Sequence, residues 1–333
     1  MSMRAAVIGV GSMGFNHVRV YGEVEGVQVA GVADVSQERL DEITSRFGVP
    51  VYSDYRQLIE KEKPDVISVT VPTAEHEHVA EFALNSGAHL LVEKPIAATV
   101  EEGRRMIALA ERMGRHMMIG HIIRFNPAVQ SLKARLDAGD AGRIFQIFCR
   151  RAGPFPARIR DVGVVVDLAP HDVDIMRYLT GLDPLRVYAE TEQQIHTEHE
   201  DLLFGLLRFP GGITGALELN WLTPTKIRET LVLGEKGLFR VDDLPQDLYF
   251  TENPQAAGEL WSPLKAIHGV SEGSMTRFEM KRQEPLKAEL QAFVDAVRAD
   301  QPMPVSGQDG LEALRLSLAL VESAQTHQVI EVG

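Results

Sequence analysis

Three glycines in the stretch Gly9-Val10-Gly11-Ser12-Met13-Gly14 follow an apolar run over residues 4–10 and open a segment with helical periodicity. A glycine turn between strand and helix commits the chain to a βα unit. Gly9 suits the tight turn, Gly11 lets a pyrophosphate approach the backbone, and Gly14 lets the helix pack closely on the strand. The first helical residues, Ser12 and Met13, then offer N–H groups and partial positive charge to phosphate oxygens. Asp34 lies twenty residues after Gly14 and ends a second strand-like run over residues 27–33. Its carboxylate can accept from both ribose hydroxyls and would repel a 2′-phosphate. Together these residues predict a dinucleotide site that prefers NAD, with NADP left open by the nearby Arg39.

The alternation continues. Apolar runs over residues 66–71, 89–92 and 116–119 are separated by helical segments, among them residues 36–47 with Ser36 as N-cap and Gly48 as stop. Such spacing predicts an α/β fold, a Rossmann-type doubly wound parallel sheet over residues 1–123. From residue 124 the pattern changes. Strand-like runs at 187–195, 202–209, 214–221, 228–233 and 237–241 follow one another without helices, joined by turns such as Pro210-Gly211-Gly212. They predict a C-terminal α+β domain over residues 124–333, with an open, mostly antiparallel sheet serving substrate binding and oligomerisation. Amphipathic helices over 284–299 and 309–326 close the chain and can pack back on the first domain. Residues 245–274 show little periodicity and read as a long loop or flap. A sheet face without covering helices predicts a homodimer or homotetramer.

Composition removes several classes. The single cysteine, Cys149, excludes an intrachain disulfide and fits a reducing compartment. The N-terminus shows no signal-peptide pattern, and no apolar run nears the roughly 18 residues of a membrane span. A net charge of −13 argues against nucleic-acid or acidic-membrane partners. The expectation is a soluble cytoplasmic protein. Arg143, Arg150, Arg151, Arg158 and Arg160 nevertheless fall in a stretch without Asp or Glu. They are either solvated arginines or a positive patch for an anionic substrate, since guanidinium matches phosphate geometry. The polar segment His196-Thr197-Glu198-His199-Glu200-Asp201 reads as a turn, and no metal is expected.

Two charged clusters suggest chemistry. Glu93-Lys94-Pro95 closes the run over 90–92, at the carboxyl end of a parallel strand, where open α/β sheets place ligands. Asp167-Leu168-Ala169-Pro170-His171-Asp172-Val173-Asp174 is the second. Pro170 suits a first helical turn, which would put His171 near a helix N-terminus and keep its ring neutral as a general base. Asp167 and Asp174 are candidates to orient that ring or relay its proton.

These clusters, with the glycine motif, Val71-Pro72-Thr73 and His76, occur in an order that resembles the glucose–fructose oxidoreductase / inositol dehydrogenase / rhizopine-catabolism (Gfo/Idh/MocA) family of NAD(P)-dependent oxidoreductases. The resemblance covers nearly the whole chain and implies Lys94, Asp167 and His171 as catalytic residues; Ala169 stands where a glycine is common. It implies cofactor contacts from Gly9, Gly11, Ser12, Met13, Gly14, Asp34, Pro72, Thr73, His76, Glu93 and Lys94. For His76 a capping or packing role competes.

Three further segments, 120–127, 153–163 and 220–228, resemble the branch of UDP-N-acetylglucosamine 3-dehydrogenases, which oxidise the sugar 3-hydroxyl. That resemblance implies substrate contacts from His121, Arg124, Asn126, Arg158, Arg160 and Asp174, with Arg158 and Arg160 clamping a diphosphate. Lys226 could help and Phe155 or Trp221 could stack on a ring, although Trp221 and Phe125 also suit a domain core. The alternatives are a free inositol or hexose dehydrogenase and an NAD-dependent glycoside hydrolase of the same family.

Overall fold

The computed structural model describes residues 2–156, 162–195, 198–253 and 273–333. These divide into two compact units, one of residues 1–125 with 283–318 and one of 126–282 with 319–333.

In the first unit, six parallel strands lie in the order β3-β2-β1-β4-β5-β6. They are β1 (Met3–Ile8), β2 (Val27–Ala33), β3 (Val51–Tyr52), β4 (Val66–Val69), β5 (His89–Glu93) and β6 (Met117–Gly120). Central strands buried on both faces read as near-continuous apolar runs, which β1 and β5 supply in Ala5–Ile8 and Leu90–Val92 and β4 supplies apart from the buried Ser68. Helices α1 (Ser12–Tyr21), α2 (Gln37–Phe47), α3 (Tyr55–Glu62), α4 (His76–Asn85) and α5 (Val100–Arg112) link them. As expected for α2, the Ser36 hydroxyl accepts from the Arg39 amide and Gly48 closes the helix at φ +63°. The two-residue β3 was missed because so short a run carries no period. Strand order reverses between β1 and β4, and open α/β sheets bind ligands outside such a switch point.

The second unit carries a nine-stranded sheet of order β14-β13-β12-β11-β7-β10-β9-β8-β15. Its strands are β7 (Ile144–Pro154), β8 (Arg186–Glu192), β9 (Leu202–Arg208), β10 (Thr214–Asn220), β11 (Leu222–Gly234), β12 (Gly237–Asp242), β13 (Asp247–Glu252), β14 (Met275–Phe278) and β15 (Ile330–Glu331). All neighbours pair antiparallel except β10 with β7. One expectation needs correcting. Residues 247–252, assigned to a loop, form β13, whose pairing with β12 overrides a weak alternation. Among the described residues, strands β8 to β12 follow one another without an α-helix, as expected, while α6 (Pro127–Asp137) and α7 (Val164–Thr180) pack against the sheet.

The burial of β9 alternates strictly, with Leu203 and Leu207 inward while Phe204 and Leu206 stay 53% and 52% exposed. Register places Tyr188, Leu206, Ala216, Phe148 and Leu231 side by side across five strands on this outer face. Helix α8 (Pro285–Ala299) belongs to the first unit, as does α9 (Gly307–Thr326) up to Leu318. Among the described residues no helix is long and apolar enough to cross a membrane.

Candidate active site

The glycine turn separates two kinds of steric demand. At Gly14 a Cβ would sit 1.9 Å from the Gly9 carbonyl oxygen and 2.6 Å from Thr70 Oγ1, so internal packing alone requires glycine. Gly9 has φ +88° and Thr70 backbone 2.8 Å from where its Cβ would be. Gly11 differs: nothing lies within 4 Å of its Cβ position. No internal clash explains glycine there, whereas a ligand lying against the backbone does. Gly11 is also the N-cap of α1, which has no side-chain cap bond and no acidic residue in its first turn. The helix end at Ser12 and Met13 therefore presents N–H donors and positive dipole without a competing carboxylate.

Asp34 follows β2, and its carboxylate accepts from the Val10 amide at 2.7 Å and the Ser36 amide at 2.8 Å. These two bonds hold the acid against the glycine turn and leave further acceptor capacity for ribose hydroxyls. Thr70, not anticipated, bonds through its hydroxyl to the Ile8 carbonyl at 3.1 Å and ties β4 to β1 at the switch point. Pro72 precedes a 3-10 turn, Thr73–Glu75. His76 is buried, with Nδ1 3.0 Å from the Pro95 carbonyl and Nε2 3.0 Å from the Val71 carbonyl. Burial holds its pKa below the ordinary histidine value. The ring thus links two loops, the packing alternative.

Glu93 and Lys94 stand at the carboxyl end of β5. The Glu93 carboxylate accepts from His17 Nε2 at 3.1 Å and from the Lys94 amide at 3.3 Å. His121 follows β6 and is buried. Arg124 is buried too, 3.1 Å from Asp309.

In the second unit, α7 begins at Val164, six residues before Pro170. Pro170 is internal to the helix and His171 lies two turns in, so the proposed dipole effect on its ring lapses, since it is confined to the first turn. Proline lacks an N–H, so the Val166 carbonyl loses its regular helical donor. Val164 and Val165 bury the front of the helix, and the Val164 amide bonds to the Glu200 carbonyl at 2.9 Å. That long-range anchor, invisible locally, extends the helix upstream. Asp167 and His171, four apart, share one helical face and are both half-buried. Asp174 is buried on the same side.

Arg151 on β7 grips Asp172, the neighbour of His171, with Nε 2.9 Å and Nη2 2.7 Å from carboxylate oxygens. Both groups are buried, and Asp243 Oδ2 lies 3.6 Å from the same guanidinium. Burial pushes the Asp243 carboxyl up to about 6, against the pull of Arg151. Arg150 pairs with Glu218 at 2.9 Å. The anionic-substrate patch therefore loses Arg150 and Arg151, whose charges are matched by Glu218 on β10 and Asp172 on α7. Arg158 and Arg160 lie outside the described residues, as do His196 and Thr197. Asp201 accepts from the Gln194 amide at 3.1 Å, a turn role for that polar segment. Asn126 caps α6 by accepting from the Ala128 amide at 2.9 Å and donates to the Asp243 carbonyl at 3.0 Å, both structural uses of its side chain. Trp221 is buried with Phe155 edge-on at 5.8 Å, and Lys226 is exposed on β11.

Residues 3–121 match the model of an oxidoreductase family with an NAD-binding Rossmann fold, and residues 129–240 match the GFO/IDH/MocA C-terminal domain. The chain belongs to the Gfo/Idh/MocA oxidoreductases. Like that family it is an NAD-binding dehydrogenase acting on CH–OH groups. Relatives of this Gfo/Idh/MocA chain include the UDP-N-acetylglucosamine 3-dehydrogenase of Acidithiobacillus ferrooxidans, 29% identical and covering 95% of each chain. The myo-inositol 2-dehydrogenase of Thermotoga maritima is 25% identical over 99% of this chain and 98% of its own. The solved structure of the Acidithiobacillus enzyme superposes with a TM-score of 0.85 at 27% identity, covering 98% of this chain and 99% of that one. The glycine turn, the Asp34 anchor and the uncapped α1 terminus fit the NAD that this family binds.

Proposed function

We propose that this dehydrogenase oxidises a secondary hydroxyl of a sugar, with the 3-hydroxyl of a nucleotide sugar such as UDP-N-acetylglucosamine as the preferred target. The observation that carries this reading is the 29% identity over 95% of both chains with an enzyme of that name. The resemblance to the nucleotide-sugar branch assigns the diphosphate to Arg158 and Arg160; Arg150 and Arg151 have internal partners. Bound NAD supplies the hydride acceptor. His171 takes the hydroxyl proton, with Asp167 one turn earlier orienting its ring. Lys94 hydrogen-bonds the hydroxyl oxygen and stabilises developing alkoxide charge. Gly11, Ser12 and Met13 hold the pyrophosphate and Asp34 the adenosine ribose.

A screen of UDP-N-acetylglucosamine, myo-inositol and scyllo-inositol with NAD, read by NADH absorbance, tests the substrate. We expect kcat/KM for the UDP-sugar to exceed both inositols by at least about tenfold, because a diphosphate makes charge-assisted hydrogen bonds to guanidinium that a neutral polyol cannot make. A preference for an inositol would replace the nucleotide-sugar reading. Release of free hexosamine without net NADH would point to the glycoside hydrolase branch.

The protein is further proposed to self-associate through the apolar outer row centred on Leu206 and Phe148. Light scattering is expected to give a dimer or tetramer that Leu206→Asp weakens. A monomeric wild-type chain at working concentration would contradict it.

A further inference from the structure

Three polar side chains are sealed in the apolar core of the first unit, and none of the roles above uses them. His17 and Tyr21 on α1 and Ser68 in β4 are each 0% exposed. Ser68 breaks the apolar run Val66-Ile67-Ser68-Val69, where the strand pattern by itself requires no hydroxyl. The three meet one another. Tyr21 Oη lies 2.9 Å from Ser68 Oγ, which lies 3.0 Å from His17 Nδ1, and His17 Nε2 lies 3.1 Å from Glu93 Oε1. Positions 17 and 21 are one turn apart on α1 and so face β4 together. Buried polar groups cost stability unless they are bonded, and apolar side chains of the same shape fill such space at little or no loss. What the chain of bonds adds is a fixed place for its last member.

That member, Glu93, ends β5 and precedes Lys94. Its second oxygen, Oε2, accepts from the Lys94 amide at 3.3 Å. Gly120 pairs with Glu93 across β5 and β6, and a Cβ on it would meet Oε1 at 3.0 Å and Oε2 at 3.1 Å, so the neighbouring strand closes over the carboxyl. Whichever nitrogen of His17 carries the hydrogen, both ring bonds can form. The Ser68 hydroxyl donates or accepts, and a carboxyl does the same according to its proton. Beyond Lys94 a second buried histidine, His76, has Nδ1 3.0 Å from the Pro95 carbonyl and 3.2 Å from the Ile96 carbonyl. The lysine is thus bracketed by two fixed rings, one on residue 93 and one on residues 95 and 96. Glu289 on α8 is the contrast: it too is 0% exposed, but among the described residues neither of its oxygens has a hydrogen-bond partner, and it lies outside the chain.

We infer that His17 is a positioning residue for Lys94: held at Nδ1 by Ser68, its ring fixes the Glu93 carboxyl through Nε2, and that carboxyl sets the Lys94 peptide. The effect on turnover rests on the reaction proposed above; the effect on the Lys94 peptide does not. Two substitutions separate the bonds. The side-chain amide of His17→Gln reaches the place of Nε2 and keeps the contact to Glu93. That of His17→Asn reaches only the place of Nδ1 and keeps the contact to Ser68. In the full-length chain with bound NAD, selectively labelled with 15N-lysine, the Lys94 amide resonance is expected to move in His17→Asn and to stay close to its wild-type position in His17→Gln. The resonance of Lys226, exposed on β11, should stay in place in both. Ser68→Ala removes only the far bond of the ring, a smaller change to the core, and should also move the Lys94 amide.

With UDP-N-acetylglucosamine as probe, His17→Asn should lower kcat about tenfold and His17→Gln less than about threefold, with NADH affinity changed less than about threefold in both. On a Lys94→Ala background His17→Asn should cost less than about twofold more, because the ammonium that it positions is gone; a merely weakened fold would cost the full factor again. A Lys94 amide unmoved in His17→Asn, equal turnover in His17→Asn and His17→Gln, or a fully additive loss would each overturn the inference. Should His17→Asn fail to fold, the Lys94 amide in Ser68→Ala decides: movement supports the chain and an unmoved resonance overturns it. If the amide behaves as expected but the wild type oxidises neither the UDP-sugar nor the inositols, the hold on the Lys94 peptide stands and the sugar-oxidising reading falls.

Discussion

Lys94→Ala and His171→Ala are each expected to lower turnover by about 10²-fold or more while NAD still binds. The separation is expected because the proposed pyrophosphate and ribose contacts come from Gly11, the α1 terminus and Asp34, none of which either substitution touches. Lys94 follows β5, and its amide rests on Glu93; removal of the ammonium leaves that backbone bond in place. The two losses should be strongly non-additive, since both groups act on one hydroxyl in the proposed reaction. Steady-state kinetics of the single and double variants, with NADH binding followed by fluorescence, check this. Turnover near wild type in either single variant would remove that residue from the chemistry.

Arg151→Ala is expected to destabilise the second unit by about 3–5 kcal/mol, measured by urea unfolding. Arg151 and Asp172 are both buried, and their bidentate contact has Nη2 at 2.7 Å and Nε at 2.9 Å. Removing the guanidinium leaves Asp172 uncompensated and takes away the cation nearest Asp243. The exposed pair Arg105–Glu77 has an equally short contact of 2.6 Å. Its removal should cost at most about 1 kcal/mol, because water already solvates both groups. Replacing Arg151 and Asp172 together by apolar residues should recover much of the loss. Activity should fall with Arg151→Ala as well, since Asp172 neighbours His171. A loss below about 1 kcal/mol would show that the triad is solvated in solution.

The legibility of the chain varied with the range of the interactions involved. Strand β2 and helix α2 were placed to the residue or within one, because apolar alternation, a serine N-cap and a left-handed glycine are local signals. Helix α7 was misread at its start because its first turns are held by Glu200, thirty-five residues away in sequence at the Val165 contact. The arginine-rich stretch misled for the same reason. Acid-free in sequence, it meets Glu218 only when β7 pairs with β10 and Asp172 only when α7 packs on β7. His17 carried no warning of its role, its partners lying 51 and 76 residues further on.

Glycine spacing, strand period and the order of the charged motifs were enough to assign a dinucleotide-binding α/β lobe, a mostly antiparallel second lobe and the family. Each is encoded by neighbours within a few residues, where backbone sterics and side-chain alternation act. Which charges are neutralised, where α7 begins and which acid is left dry depended on folding. Those outcomes follow from burial and from electrostatic partners brought together across long sequence separations, and no local pattern records them.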